Sequence, residues 1–207
     1  MMNTSRLRLA TGALALTAFL AGCGDSTEPA GGGTTAASTT DGEQAAQEHN
    51  EADTMFAQMM IVHHEGAIEM AQLAQEQAVT PEVQELAAQI EAAQGPEIEL
   101  MQSWLQQWGE PAASEDDMAG MGHGDTSGME MDGMTQEESM AELEGLYGEA
   151  FDARFLELMI EHHRGAVTMA QIALDEGQHP DVQELAEQVV TDQEAEIEHM
   201  EQLHKGL

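Results

Sequence analysis

The chain has 207 residues, with 40 Asp and Glu against 5 Lys and Arg, 16 Met, a single Cys, and only two Trp, one Tyr and four Phe. Its formal charge of −35 excludes a direct grip on nucleic acid or anionic headgroups, because phosphate binding needs clustered Lys and Arg to displace counterions. Cations are the natural partners, the length allows one domain or two small ones with a core of their own, and the excess of Met over aromatic residues is the anomaly to explain.

Residues 1–22 carry Arg6 and Arg8 and then an uncharged apolar run from Leu9 to Leu20. A run of about a dozen residues is too short to cross a bilayer as a helix, which takes about 20, so it reads as a secretory signal. Leu20-Ala21-Gly22-Cys23 resembles the bacterial lipobox, whose Cys becomes the lipidated first residue of the mature chain; an ordinary cleaved signal with an incidental Cys is the alternative. Lipidation at Cys23 implies an exported protein held to the membrane by its anchor alone, with no thiol left for a disulfide or a thiolate site. Any soft ligand must then be Met. Loss of the signal leaves three basic residues against 40 acidic ones, a side-chain balance of −37. Residues 23–43, rich in Gly, Ser, Thr and Ala, read as a flexible tether.

From residue 44 onward the chain is a duplication. Asp53–Met101 aligns without a gap on Asp152–Met200 at an offset of 99 residues, with about half of the positions identical. Apolar residues recur at three and four and β-branched runs are absent, so each copy reads as a helical hairpin. Pro81 and Pro180 fit the first position of the second helices, with Thr80 as a cap. Helices are expected at 44–78, 81–108, 137–177 and 180–205. Two hairpins, 44–108 and 137–207, make an all-α four-helix bundle of ferritin-like type. The linker, 109–136, is rich in Gly, Asp, Ser and Met and is expected to be irregular; loops of this length are more often functional than structural.

Three constellations bear on chemistry. The linker holds Met118, Met121, His123, Met129, Met131 and Met134 among Gly, Asp and Ser, with no apolar face for the side chains to fill. Thioethers spaced in this way on a flexible chain fold around a soft ion, and Cu(I) or Ag(I) prefers them; an adaptable contact surface is the other reading. Next come the paired histidines, His63-His64 and His162-His163. Phe56, Met60, His63, Ala67 and Met70 fall on one arc, as do Phe155, Met159, His162, Ala166 and Met169, which turns His63 and His162 inward. Finally, the seams of the second helices carry Gln94, Glu97 and Met101 in one copy and Gln193, Glu196 and Met200 in the other. At 1.5 Å per residue, His63 and Glu97 stand at nearly equal heights, with Met60 and Met101 one turn beyond, and the copy pairs His162 with Glu196 and Met159 with Met200. Two interpretations stand side by side: a hydrogen-bonded His-Gln-Glu belt that fixes register, and a metal site of imidazole, thioether and carboxylate ligands.

The pattern D-x-x-F-x-x-x-M-I-x-H-H-x-G-A-x-x-M-A, with the later Q-x-x-E-I-x-x-M, resembles domain-of-unknown-function family 305, the CopM-like proteins, over roughly residues 44–207. The resemblance implies an exported ferritin-like four-helix bundle, in a family that includes copper-binding proteins, and a Met and His metal site involving His63, His64, Met60, Met70, His162, His163, Met159 and Met169.

The sequence therefore favours a lipid-anchored extracytoplasmic protein that binds and buffers copper, as Cu(I) on Met-rich sites and Cu(II) on His and carboxylates, with no catalytic step and an unidentified copper-accepting partner. A non-catalytic envelope interaction module with structural His and Met is the alternative. A ferritin-like dimetal oxidase is a third; Glu196-Ile197-Glu198-His199 has the Glu-x-x-His spacing, but the first copy has Leu100 in place of the His.

Overall fold

The computed structural model describes residues 48–112, 131 and 133–207. The signal, Cys23, the tether, and Met118, Met121, His123 and Met129 of the linker lie outside the described residues. Five helices form among those described: α1 (Glu51–Gln77), α2 (Pro81–Trp108), α3 (Gln136–Glu144), α4 (Glu149–Glu176) and α5 (Pro180–Gly206). The long ones build the all-α four-helix bundle: α1 pairs with α2, α4 pairs with α5, and α1 packs on α4 across the seam between the hairpins.

Local chemistry sets the helix ends. Residues 48–50 are not helical, so the first helix starts later than composition suggests. Asn50 accepts from the Asp53 N–H while the Asp53 carboxylate accepts from the Asn50 N–H, a capping box that fixes the start. Thr80 does occupy the N-cap position of α2, but its side chain makes no capping bond. The expected 137–177 helix is two helices. α3 is started by a Thr135–Glu138 capping box, and the chain turns before α4 at Gly148, whose φ of +65° is costly for any residue with a Cβ. Pro96 lies inside α2, yet both it and Ala92, the residue whose carbonyl loses its partner, face solvent, so water can satisfy the freed group.

The bundle has two apolar clusters rather than one. The first gathers Phe56 to Val62 of α1, Met101 to Leu105 of α2, Ala166 to Ala173 of α4 and Val182 to Val189 of α5. The second gathers Ala67 to Ala78, Val83 to Ile90, Phe151 to Ile160 and Met200. Along every long helix the residues between them are polar: His63 and His64, Gln94 and Glu97, His162 and His163, Gln193 and Glu196. A polar waist thus divides the core at mid-height.

The linker corrects one expectation. Met131 is buried in the second cluster and Met134 packs against it, and the two exchange backbone hydrogen bonds of 3.0 and 2.9 Å. An apolar face does exist for these two side chains, because α3 and the segment before it fold back onto the bundle and Leu143 of α3 enters the same cluster.

Two buried aspartates join the hairpins. Asp53 of α1 accepts backbone N–H groups from Gln178 and His179 in the α4–α5 turn, at 3.0–3.2 Å. Asp152 of α4 accepts from Val79 and Thr80 in the α1–α2 turn, at 3.0 and 2.8 Å. The offset of 99 maps one contact onto the other, so the hairpins are related by an approximate two-fold axis. Each carboxylate supplies acceptors for N–H groups that a helix start leaves unpaired. The approach is close: a Cβ on Gly177 would stand 2.6 Å from the Asp53 carboxylate and 2.5 Å from the Ala173 carbonyl.

Removing either carboxylate leaves part-buried or buried backbone donors without their acceptor, at about 1–3 kcal/mol each. Asp152→Ala is therefore expected to lower the unfolding free energy by about 2–4 kcal/mol in urea denaturation, with Gly177→Ala destabilising through displacement of Asp53. A loss within error of zero for Asp152→Ala would refute the bracing role.

Candidate metal centre

Adjacent residues on a helix point about 100° apart, and both histidines of each pair are nevertheless buried. His63 and His162 face the seam between the hairpins, where their ring centroids lie 3.6 Å apart at an interplanar angle of 39°. Each touches its own repeat equivalent, which places the pair on the approximate two-fold axis. His64 and His163 turn instead toward the second helix of their own hairpin. There His64 Nε2 lies 2.7 Å from Glu97 Oε2 and His163 Nε2 lies 2.7 Å from Glu196 Oε2.

This corrects the expected pairing of His63 with Glu97 and of His162 with Glu196. The height was right and the azimuth wrong, since positions 63 and 64 differ by only 1.5 Å along the axis but by a quarter turn around it. The correction matters chemically. An ionised carboxylate can only accept, so each Nε2 carries the hydrogen. In the neutral ring the lone pair then sits on Nδ1, and Nδ1 of both His64 and His163 is buried with no hydrogen-bond partner. At 2.7 Å there is no room for an ion between carboxylate and imidazole. Glu97 and Glu196 orient the rings.

The rest of the waist is equally poor in partners. Both amide atoms of Gln94, Oε1 of Gln193 and Nδ1 of His162 are buried without hydrogen bonds. Burial holds the His162 pKa well below the ordinary histidine value, and the neighbouring His63, His163 and His64 push it the same way. His162 is consequently neutral at pH 7, the form that ligates metals.

The helical Met residues lie on both sides of this layer. Met60, Met101 and Met169 belong to one apolar cluster and Met70, Met159 and Met200 to the other, all buried. Met60 and Met159 stand one turn from the histidines; Met70 and Met169 stand about two turns away from His63 and His162. Among the described residues no group of three or more His, Cys, Asp or Glu side chains is arranged to hold one ion. A centre at the waist must therefore draw on thioethers. Glu196, offered for a dimetal site, is bonded to His163, and His199 is exposed. His204 pairs with Glu157 on the surface at 3.3 Å.

Three features escaped the sequence pattern. Asp53 and Asp152 act through turns more than 70 residues away. The Trp104, Trp108 and His179 rings pack together at one end of the bundle. His49 stacks on Trp108 there, with centroids 4.4 Å apart and planes within 8°.

Residues 53–204 match the model of the family described as domain of unknown function DUF305. A DUF305 fragment from Deinococcus radiodurans is 32% identical, covering 76% of this chain and 98% of its own, with a TM-score of 0.66. A DUF305 protein from Streptomyces coelicolor that is regarded as secreted is 35% identical, covering 73% and 91%, with a TM-score of 0.64. CopM in its Cu(II)-bound form is 35% identical, covering 74% and 96%, with a TM-score of 0.61, and CopM structures with Cu(I) and with Ag are similar too. No curated protein matches the chain.

A neutral buried His162 has a consequence for stability. Its pKa is lowered on folding, so below the unfolded value of about 6.5 the unfolded chain binds the extra proton. The stabilisation it allows is complete above that pH and is lost as the pH falls below it, with a slope of up to about 1.4 kcal/mol per pH unit. His162→Gln is expected to flatten the fall in stability between about pH 6.5 and 5, measured as urea midpoints against wild type. Parallel profiles would show that His162 titrates as it does in the unfolded chain.

Proposed function

The chain belongs to the DUF305 family, and from that premise we propose that it is an exported metal-binding protein that holds and buffers copper as Cu(I), with Ag(I) as its analogue. The observation that carries this reading is the pair of carboxylate–imidazole bonds, His64 to Glu97 and His163 to Glu196. A metal-ligating histidine commonly donates its second ring N–H to a carboxylate, which fixes the tautomer and raises the basicity of the free nitrogen. Here the free nitrogen is Nδ1, buried in a waist bordered by Met60 and Met101 on one side and Met159 and Met200 on the other. Imidazole together with thioether suits Cu(I), whereas hard cations need oxygen ligands.

In this reading His64 and His163 are ligands, and the flanking Met supply sulfur. Glu97 and Glu196 hold the rings and take up positive charge. His63 and His162 form the partition between two equivalent half-sites. The linker residues Met118, Met121, His123 and Met129 form a further set that captures ions, whereas Met131 and Met134 belong to the second apolar cluster. The acidic surface raises the local cation concentration within a Debye length of about 8–10 Å. Similarity to CopM supports copper; the signal-like N-terminus and the secreted relative support export. Cys23 is the proposed lipid anchor, and no helix among the described residues is long and apolar enough to cross a membrane. The proposal needs no catalytic step.

Anaerobic titration with Cu(I) against a competing chelator tests the assignment. Glu97→Gln and Glu196→Gln are each expected to weaken one half-site by about 10–100-fold, His64→Ala with His163→Ala to abolish the buried sites, and replacement of Met118, Met121 and Met129 by Leu to lower the stoichiometry further. Unchanged stoichiometry and affinity in the double His variant would leave the waist as a register-fixing polar belt.

A further inference from the structure

The two ends of the bundle differ where the repeat predicts that they should match. Applying the offset of 99, His49, Trp104 and Trp108 correspond to Gly148, Leu203 and Leu207, and His179 corresponds to Thr80. Small and aliphatic residues close one end. At the other end stand two histidines and the chain's two tryptophans, so packing alone does not call for these side chains.

Within this cluster His49 and Glu110 stand within ion-pair distance but beyond hydrogen-bond distance. His49 Nε2 lies 3.7 Å from Glu110 Oε1, with side chains 21% and 39% exposed. That separation is too long for a hydrogen bond. It matches two donors on one metal ion, which at about 2.0–2.2 Å from the centre stand roughly 3–4 Å apart. The contrast with the 2.7 Å pairs of the waist is the deciding magnitude.

The ring of one donor and the backbone of the other are held in advance. The His49 ring is fixed by its parallel stack on Trp108. The backbone that carries Glu110 is fixed because Gly109 ends α2 in the left-handed conformation, the Glu110 N–H donates to the Leu105 carbonyl, and the next residue, Pro111, accepts from Gln58 through its carbonyl at 2.7 Å. The pair also sits at the C-terminus of a 28-residue helix with no basic side chain in its last turn, where the helix dipole favours a cation. His179 is not a third ligand, because its Nδ1 accepts from the Asp181 N–H.

We propose that His49 and Glu110 form a second, solvent-open metal site that takes a divalent borderline ion, Cu(II) first among them. One imidazole and one carboxylate with water completing the shell suit Cu(II), which heads the divalent affinity order. The site is harder than the thioether-lined waist and holds the other oxidation state of the same element.

Both tryptophans of the full chain lie beside this site, so their fluorescence reports on it. Titration with Cu(II) is expected to quench the emission saturably. Glu110→Gln, which keeps the stack, should weaken the apparent affinity at least tenfold. Glu82→Gln, the same charge change at the far end of α2, should alter it less than twofold. Electron paramagnetic resonance at one equivalent of Cu(II) should show imidazole nitrogen coupling that His49→Gln removes. Equal effects of Glu110→Gln and Glu82→Gln would reduce the quench to diffuse attraction by the acidic surface and overturn the site, as would nitrogen coupling that persists in His49→Gln. These measurements use oxidised metal and leave the waist residues intact, so failure here is distinct from failure of the Cu(I) assignment.

Discussion

Register between the two hairpins is the constraint on which the rest depends, and two buried carboxylates fix it. Asp53 and Asp152 each belong to one hairpin's first helix and close the other hairpin's turn. Because the two braces sit at opposite ends of the α1–α4 seam, sliding one helix past the other would break both. The midpoint of the seam is thereby set, and the midpoint is where His63 meets His162 at 3.6 Å. A shift of one residue would separate His63 from His162, while the His64–Glu97 and His163–Glu196 pairs, each held within one hairpin, would travel with it.

The braces also bear on why a bundle tolerates a polar layer in its core. Unsatisfied buried polar atoms cost about 1–3 kcal/mol each, and the waist holds several of them. A continuous apolar seam through positions 94 and 97 would make a tighter bundle. The fold keeps two separate apolar clusters instead, each spanning all four long helices. Locations where packing is given up in this way are where function is expected. Beside the waist Gly66 makes room for the Gln136 side chain of α3, which a Cβ would meet at 2.9 Å, and Ala67 and Ala166 are fully buried.

Much of this was legible in the sequence, for identifiable reasons. The offset of 99 gives the hairpins, Pro81 and Pro180 mark their second helices, and counting residues from the turns places histidine and glutamate at one height. Height is a product of rise alone. Azimuth is not, because choosing between His63 and His64 depends on which neighbour each helix face meets, and that is set by Asp53 and Asp152 through contacts between residues 126 and 72 apart in the chain. The break at Gly148 and the burial of Met131 were hidden for a related reason. Both depend on a short helix that is stable only when docked on the bundle; its nine residues would not persist as an isolated helix in water.

Duplication explains why the buried chemistry is doubled and why the exposed chemistry is not. A layer on the axis, where His63 meets His162, must satisfy both hairpins at once, and the carboxylate–imidazole pairs that adjoin it are the same in both copies. Positions at the ends of the bundle carry no such coupling. There one copy could keep Leu203 and Leu207 while the other holds Trp104 and Trp108 beside His49, without disturbing the register. Symmetry thus protects the waist and leaves the termini of the long helices free to diverge, so chemistry specific to this chain within its family is to be sought at the end where the repeat fails.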